Sequence, residues 1–175
     1  MPADTPEMRL VMTAPVDSIL ASASPWPHVR ALQPEDIPWL AAASWEAYEG
    51  RRDFETWDAT VATTQAMFTG RWGPFMPVAS PVAFTAEGAV AGAVATVHRL
   101  AVDDAPDCPY VLNCLTLPDH RRAGVASGLL AATARAAKAV GESRLGLTVD
   151  ESNAGARALY ASLGFEELRR MAPGA

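Results

Sequence analysis

The sequence predicts a single α/β domain, and three observations carry that expectation. The chain has 175 residues, the size of one domain, and at that length folding buries roughly 70% of the surface the unfolded chain exposes. Residues 115–126, LTLPDHRRAGVA, run from an apolar strand through a proline into the start of a helix. Residues 148–165, TVDESNAGARALYASLGF, follow with a strand end, a turn, and a second helix closed by Gly164-Phe165.

Residues 1–28, rich in Pro, Ala and Ser, read as an N-terminal extension, packed on the domain or partly disordered, with the domain proper over 29–175. Ala21-Ser22-Ala23 imitates an export cleavage site. The start nevertheless carries Asp4 and Glu7 in place of a basic cluster, and Pro15 and Asp17 interrupt the apolar run. Residues 29–32 form a first strand; Pro34-Glu35-Asp36 opens a helix to about Tyr48, stopped by Gly50. A second helix spans about 54–68, with Phe54, Trp57, Val61 and Phe68 near helical spacing and Gly70 after it. Gly73, Pro74, Pro77 and Pro81 mark a loop expected at the mouth of a site. Strands 82–85 and 90–97 flank Glu87-Gly88, a hairpin signal, and 103–109 is an acidic loop. The strand 110–117 leads into a helix reaching about Val140, with Val125, Leu129, Thr133, Ala136 and Val140 as its apolar stripe. Gly141 ends it. A strand at 145–149, a helix at 153–163 burying Ala156, Leu159, Tyr160 and Leu163, and a strand at 165–171 complete the chain, with Gly164 suited to the left-handed position after a helix.

The strand-to-helix order at 115–126 builds an anion cradle. Backbone N–H groups at a helix start have no intrahelical partners, and the helix dipole adds roughly half a positive charge there. Gly124 lets the backbone approach a phosphate, and small Ala126 keeps the next turn open. No Lys-Ser/Thr follows the glycine, which excludes a triphosphate P-loop. No second glycine precedes it by two residues, which excludes a dinucleotide fingerprint.

Together the two segments resemble the GNAT (GCN5-related) superfamily of acyl-CoA N-acetyltransferases. Arg121-x-x-Gly124-x-Ala126 fills that family's pyrophosphate loop. Asn153, Ala156, Leu159, Tyr160, Gly164 and Phe165 fill its N-x-x-A-x-x-L-Y-x-x-x-G-F element. The resemblance implies a mixed central β-sheet flanked by helices, with acetyl-CoA entering where two parallel strands splay. It assigns the pantetheine arm to the backbone of Cys114, Leu115 and Thr116 and to Asn153. The pyrophosphate falls to Arg121, Arg122, Ala123, Gly124, Val125, Ala126 and Ser127. Tyr160 is then the general acid for the departing thiolate. Family members that carry a glutamate on the cradle strand or on the next strand have it where this chain has Tyr110 and Thr148, so no general base is identified. Glu46, Glu49, Asp53 and Asp58 are the acids near the first two helices.

Composition narrows the partners. A net charge of −6 and a pI near 5.0 argue against nucleic acid and anionic membranes and would draw a cationic acceptor. No apolar run of about 18 residues suggests a membrane span. His28, His98 and His120 are scattered without ligand spacing, so no metal is expected. Cys108 and Cys114, placed in one predicted strand, read as reduced, buried thiols of a cytoplasmic protein. Nine of the thirteen aromatic residues lie between Trp39 and Phe84, as core or as walls of a compact acceptor pocket. The reading is transfer of acetyl from acetyl-CoA to a small-molecule amine by direct attack, with room for a homodimer. Protein or peptide acceptors, and a CoA-binding protein without turnover, are the alternatives.

Overall fold

One mixed sheet of seven strands organises the chain in the computed structural model, which describes residues 7–48 and 54–172. In spatial order the strands are β2 (Val29–Ala31), β3 (Pro81–Phe84), β4 (Val90–Val97), β5 (Tyr110–Thr116), β6 (Arg144–Asp150), β1 (Arg9–Pro15) and β7 (Glu166–Met171). Every neighbouring pair is antiparallel except β5 and β6. A parallel pair needs a long crossover, and α4 (Val125–Ala139) supplies it.

The two faces of the sheet are covered differently. Helices α1 (Val16–Ser22), α4 and α5 (Ala154–Ser162) share one core with Leu10, Met12, Ala14, Val94, Val111, Leu145, Leu147 and Val149. On the other face α2 (Ile37–Tyr48) and α3 (Trp57–Phe68) cover the β2–β5 half, through Leu40 and Met67 against Leu32, Val82, Ala93, Ala95 and Leu115. A third cluster, Val11, Val97 and Tyr110 with Leu100, Leu112 and Met171, contains no helical residue. On that second face no helix lies over β6, β1 and β7; Val11 is instead buried among Val97, Tyr110, Leu100, Leu112 and Met171. At the start of α2, Arg30 donates to both oxygens of Asp36 at 2.7 Å, while Trp39 Nε1 and the Gln33 N–H donate to the same carboxylate. Arg30, foremost, holds the Asp36 carboxyl down at about 2.

Several expectations are corrected here. The described part of the segment 1–28, from Glu7 on, is not a mere extension: Arg9–Pro15 is an internal strand, paired with β6 on one side and β7 on the other, and α1 belongs to the main core. Leu10, Val11, Met12, Thr13 and Ala14 are all buried, so the strand shows no alternation of polar and apolar residues, as befits one covered on both faces. Helix α3 begins at Trp57, because the Thr56 side chain caps it by accepting from the Ala59 N–H. The stop at Gly50 lies outside the described residues. The apolar stripe of α4 is wider than predicted: Gly128, Leu130, Ala131, Ala132, Ala134 and Ala137 are buried as well, whereas Val140 is exposed. Cys108 precedes β5, and both thiols are unpaired. The loop of Pro77 and Pro81 packs on the C-terminal half of α4, where Thr133 donates to the Ala79 carbonyl at 3.1 Å. At 1.5 Å per residue that is more than about 10 Å from the cradle.

Candidate active site

The site is made by two strands that stop pairing. β5 and β6 pair only at Tyr110↔Gly146 and Val111↔Leu147. Beyond those residues β4 continues to hold β5 as far as Thr116, and β1 holds β6 as far as Asp150, so the strands diverge. Pairing with β4 passes from Val111 to Asn113, leaving Leu112 as an extra residue whose bulge bends β5. The edge of β5 facing β6 thus has free backbone groups that an amide-rich ligand can pair with as a strand would.

Downstream, the chain turns at Pro118–His120, passes Arg122 at φ 61° and Gly124 at φ 81°, and enters α4. Gly124 is needed for its left-handed backbone. A Cβ there would meet nothing within 4 Å, so the space in front of the turn is open. The Gly128 N–H donates to the Gly124 carbonyl at 2.9 Å, and the N–H groups of Val125, Ala126 and Ser127 precede that first intrahelical bond without partners of their own. Val125 is buried and offers only its backbone; Arg121, Arg122, Ala123 and Gly124 are exposed. The Thr116 hydroxyl at the end of β5 is buried with no hydrogen-bond partner among the described residues, a polar group that a ligand in this cleft would satisfy. Trp26 steadies the turn. Its N–H donates to Gly128 O at 3.0 Å and its indole to Phe84 O at 2.8 Å, and a Cβ at position 128 would approach it to 3.1 Å. The cradle residues 114–116 and 121–127 are thereby arranged along one continuous path.

Tyr160 lies on α5, 8% exposed, packed on Phe165 with ring centroids 5.7 Å apart. Its hydroxyl has no hydrogen bond among the described residues. Burial, then Cys114 and Tyr48, push the phenol well above its ordinary range, so it keeps its proton throughout neutral pH. Burial raises the Cys114 thiol to about 12 and the Cys108 thiol to about 11. Asn153 caps α5: its Oδ1 accepts from the Ala156 N–H at 3.1 Å, which leaves its amide NH2 for a ligand.

Sequence reading missed a polar cluster beside the splay. Tyr48 donates to Asn113 Oδ1 at 3.4 Å, and Asn113 Nδ2 donates to Ser44 Oγ at 3.3 Å. The signal was present as an asparagine in the middle of the apolar strand YVLNCLT. Tyr110 and Thr148, at the positions of the absent glutamates, hydrogen-bond each other. Among the acids near the first two helices, Glu46 and Asp58 are exposed; Glu49 and Asp53 lie outside the described residues. The aromatic-rich first half is chiefly core, since Trp39, Tyr48, Phe68, Trp72, Phe75 and Phe84 pack on the α2/α3 cluster. A depression of about 360 Å³ between β2 and the end of α4, lined by Arg30, Val78 and Arg135 among others, is remote from this chemistry. Among the described residues no helix is long and apolar enough to cross a membrane.

The strand order and the parallel pair joined by α4 define an α/β fold of the acetyltransferase type. The sequence pattern of the Acetyltransferase (GNAT) family matches residues 30–165, and the chain belongs to that family. No curated protein matches the sequence. Among solved structures, a putative GNAT acetyltransferase from Novosphingobium aromaticivorans is 26% identical, with a TM-score of 0.61 over 95% of this chain and 62% of its own. The aminoglycoside N-acetyltransferase AAC(6')-Iy in complex with CoA is 20% identical, with a TM-score of 0.61 over 82% of this chain and 90% of its own. Naa20 from Chaetomium thermophilum, in complex with a bisubstrate analogue, is 22% identical, with a TM-score of 0.56 over 78% and 70%. The chain spans about three fifths of the Novosphingobium protein and of a Staphylococcus epidermidis protein of unknown function, 62% and 59% respectively.

Proposed function

We propose that this protein transfers the acetyl group of acetyl-CoA to the primary amine of a small molecule by direct attack. The observation that carries this reading is the splay between β5 and β6, which leads to the Arg122–Gly124 turn at one end and lies beside the unpartnered hydroxyl of Tyr160. When bound, acetyl-CoA supplies an acetyl group already activated as a thioester. The β5 edge and the Thr116 hydroxyl hold the pantetheine arm, and the N–H groups of Val125, Ala126 and Ser127 with Arg121 and Arg122 hold the pyrophosphate. Tyr160 donates its phenolic proton to the sulfur as the carbon–sulfur bond breaks and the amine nitrogen bonds to the carbonyl carbon. The amine's surplus proton passes to solvent, which also returns a proton to the Tyr160 phenolate, so the net change is acetyl to nitrogen and a proton to sulfur. A cysteine relay is disfavoured because both thiols are held protonated at neutral pH. Two unpaired thiols suit a reducing compartment, the cytoplasm.

The test is CoA release across a balanced panel of small amines, lysine-containing peptides and peptide N-termini. Small amines are expected to exceed peptides in kcat/KM by more than about tenfold, a transition-state preference of about 1.4 kcal/mol. The opposite order would transfer the assignment to protein acceptors, and binding of acetyl-CoA with no CoA release from any amine would leave a non-catalytic protein.

A further inference from the structure

The helix-free face of β6, β1 and β7 carries cations beside the splay, although the chain as a whole is acidic. Register places Arg169 of β7 opposite Val11 of β1, and Val11 opposite Thr148 of β6. Residues in register share a face, so Arg169, Val11 and Thr148 form one row across three strands. Thr148 in turn meets Tyr110 of β5, at the point where β5 and β6 part. Strands lie about 4.8 Å apart, so the Cα atoms of Arg169 and Thr148 are separated by about 10 Å. Most of that gap lies within reach of an arginine side chain passing over the small Val11.

The next row towards the open end of the splay is Met171, Arg9 and Asp150. Arg9 and Asp150 form a loose pair at 3.7 Å, with about a third of each side chain exposed. Arg169 is different. Its Nε is buried with no hydrogen-bond partner, and it forms no ion pair among the described residues. An arginine with a desolvated, unsatisfied donor is costly unless an anion completes it. Its planar fork matches a carboxylate in a bidentate manner. Tyr110 registers both cations, since Arg9 and Arg169 each favour its ionised form. The other anion on this face, Glu166, lies in the row of Thr13 and Gly146, towards the closed end.

We propose that Arg169, with Arg9 beside it, is a carboxylate-binding subsite, and that the acceptor is an amine carrying a carboxylate, an amino acid or close relative, not a polycation. This rests on the acetyl-transfer reading and specifies its acceptor. A carboxylate held by the Arg169 guanidinium directs the amine of the same small molecule at the splay beside Thr148. Arg9 is paired with Asp150, so Arg169 is the uncompensated charge of these two rows, and it disfavours a polycation there. The unpaired Arg169 thus argues against the expectation from net charge that a cationic acceptor is drawn in.

The experiment uses the full chain and matched pairs of acceptors: L-phenylalanine, L-methionine and L-tryptophan, each against its own primary amide, with spermidine as a polycation. CoA release is followed for the wild type, Arg169→Gln, Arg169→Lys and Tyr160→Phe. The free acids are expected to exceed their amides by at least tenfold in kcat/KM. Arg169→Gln should reduce that ratio to near one, mainly through KM of the acid. Arg169→Lys should recover part of the ratio, which a merely structural role for Arg169 would not predict. Tyr160→Phe should slow acid and amide alike and leave the ratio standing. Amides equal to acids, spermidine ahead of both, or no turnover of any acid would overturn the carboxylate subsite. Turnover of amides or spermidine alone would leave acetyl transfer itself intact.

Discussion

Replacing Tyr160 by phenylalanine separates chemistry from structure, because the phenol is buried yet its hydroxyl has no hydrogen-bond partner among the described residues. Removing it leaves no orphaned neighbour, so stability should hold within about 0.5 kcal/mol and acetyl-CoA affinity within about twofold. The catalytic cost has an internal gauge. Burial raises the neighbouring Cys114 thiol to about 12, so a bare thiolate beside Tyr160 is disfavoured. A departing CoA sulfur meets a similar environment, and proton donation from Tyr160 as charge develops relieves part of that cost. With general acid catalysis worth about 10²–10⁴-fold, kcat should fall by about a hundredfold, or 2.7 kcal/mol. The sign of the pH effect follows from the raised phenol: the active form is protonated, so the wild type should show no alkaline loss of kcat below about pH 10. Single-turnover CoA release establishes that chemistry limits the rate, calorimetry gives the affinity, and thermal melts the stability. An unchanged kcat under those conditions, or a loss of stability equal to the loss of rate, would refute the assignment.

Gly124→Asp should nearly abolish acetyl-CoA binding, because it places a β-substituted residue at φ 81° and a negative charge against the phosphates. Wild-type affinity by calorimetry would remove the cradle from the reading. Asp36, held at about 2 against 3.8 mainly by Arg30, stabilises the fold above its ordinary carboxyl range by about 2 kcal/mol. That contribution is lost as pH falls from about 4 through 2. In urea titrations, Asp36→Asn should be less stable than the wild type at pH 7, and the difference should close by pH 2; a constant difference would place the contribution in packing rather than ionisation.

Much of the C-terminal half of the fold was legible in the sequence because its signals are local. Gly124 must be left-handed, the strand before Pro118 must end, and Tyr160 falls four residues beyond Ala156 on the same side of α5. These need no knowledge of distant partners. β1 was illegible for the complementary reason. Its Leu10-Val11-Met12-Thr13-Ala14 run is buried on both faces, and its partners lie at the other end of the chain, so neither alternation nor a neighbouring turn marks it. The polar cluster of Ser44, Tyr48 and Asn113, like the row from Arg169 to Thr148, exists only once strand register and helix docking bring separated residues together. Thr56 shifted the start of α3 by a capping bond that periodicity alone does not weigh.

The insertion of β1 between β6 and β7 has a consequence for the order of events during synthesis. Arg9 pairs with Asp150 and Met171, so this apolar strand must wait until β6 has been translated. At about 5–20 residues per second the delay is on the order of ten seconds. During that interval the growing chain displays a β-prone segment without its native edge, a target for holdase chaperones and for premature association with neighbouring nascent chains. A bulky fusion placed immediately before Arg9 would burden this late threading step more than it would disturb the finished fold.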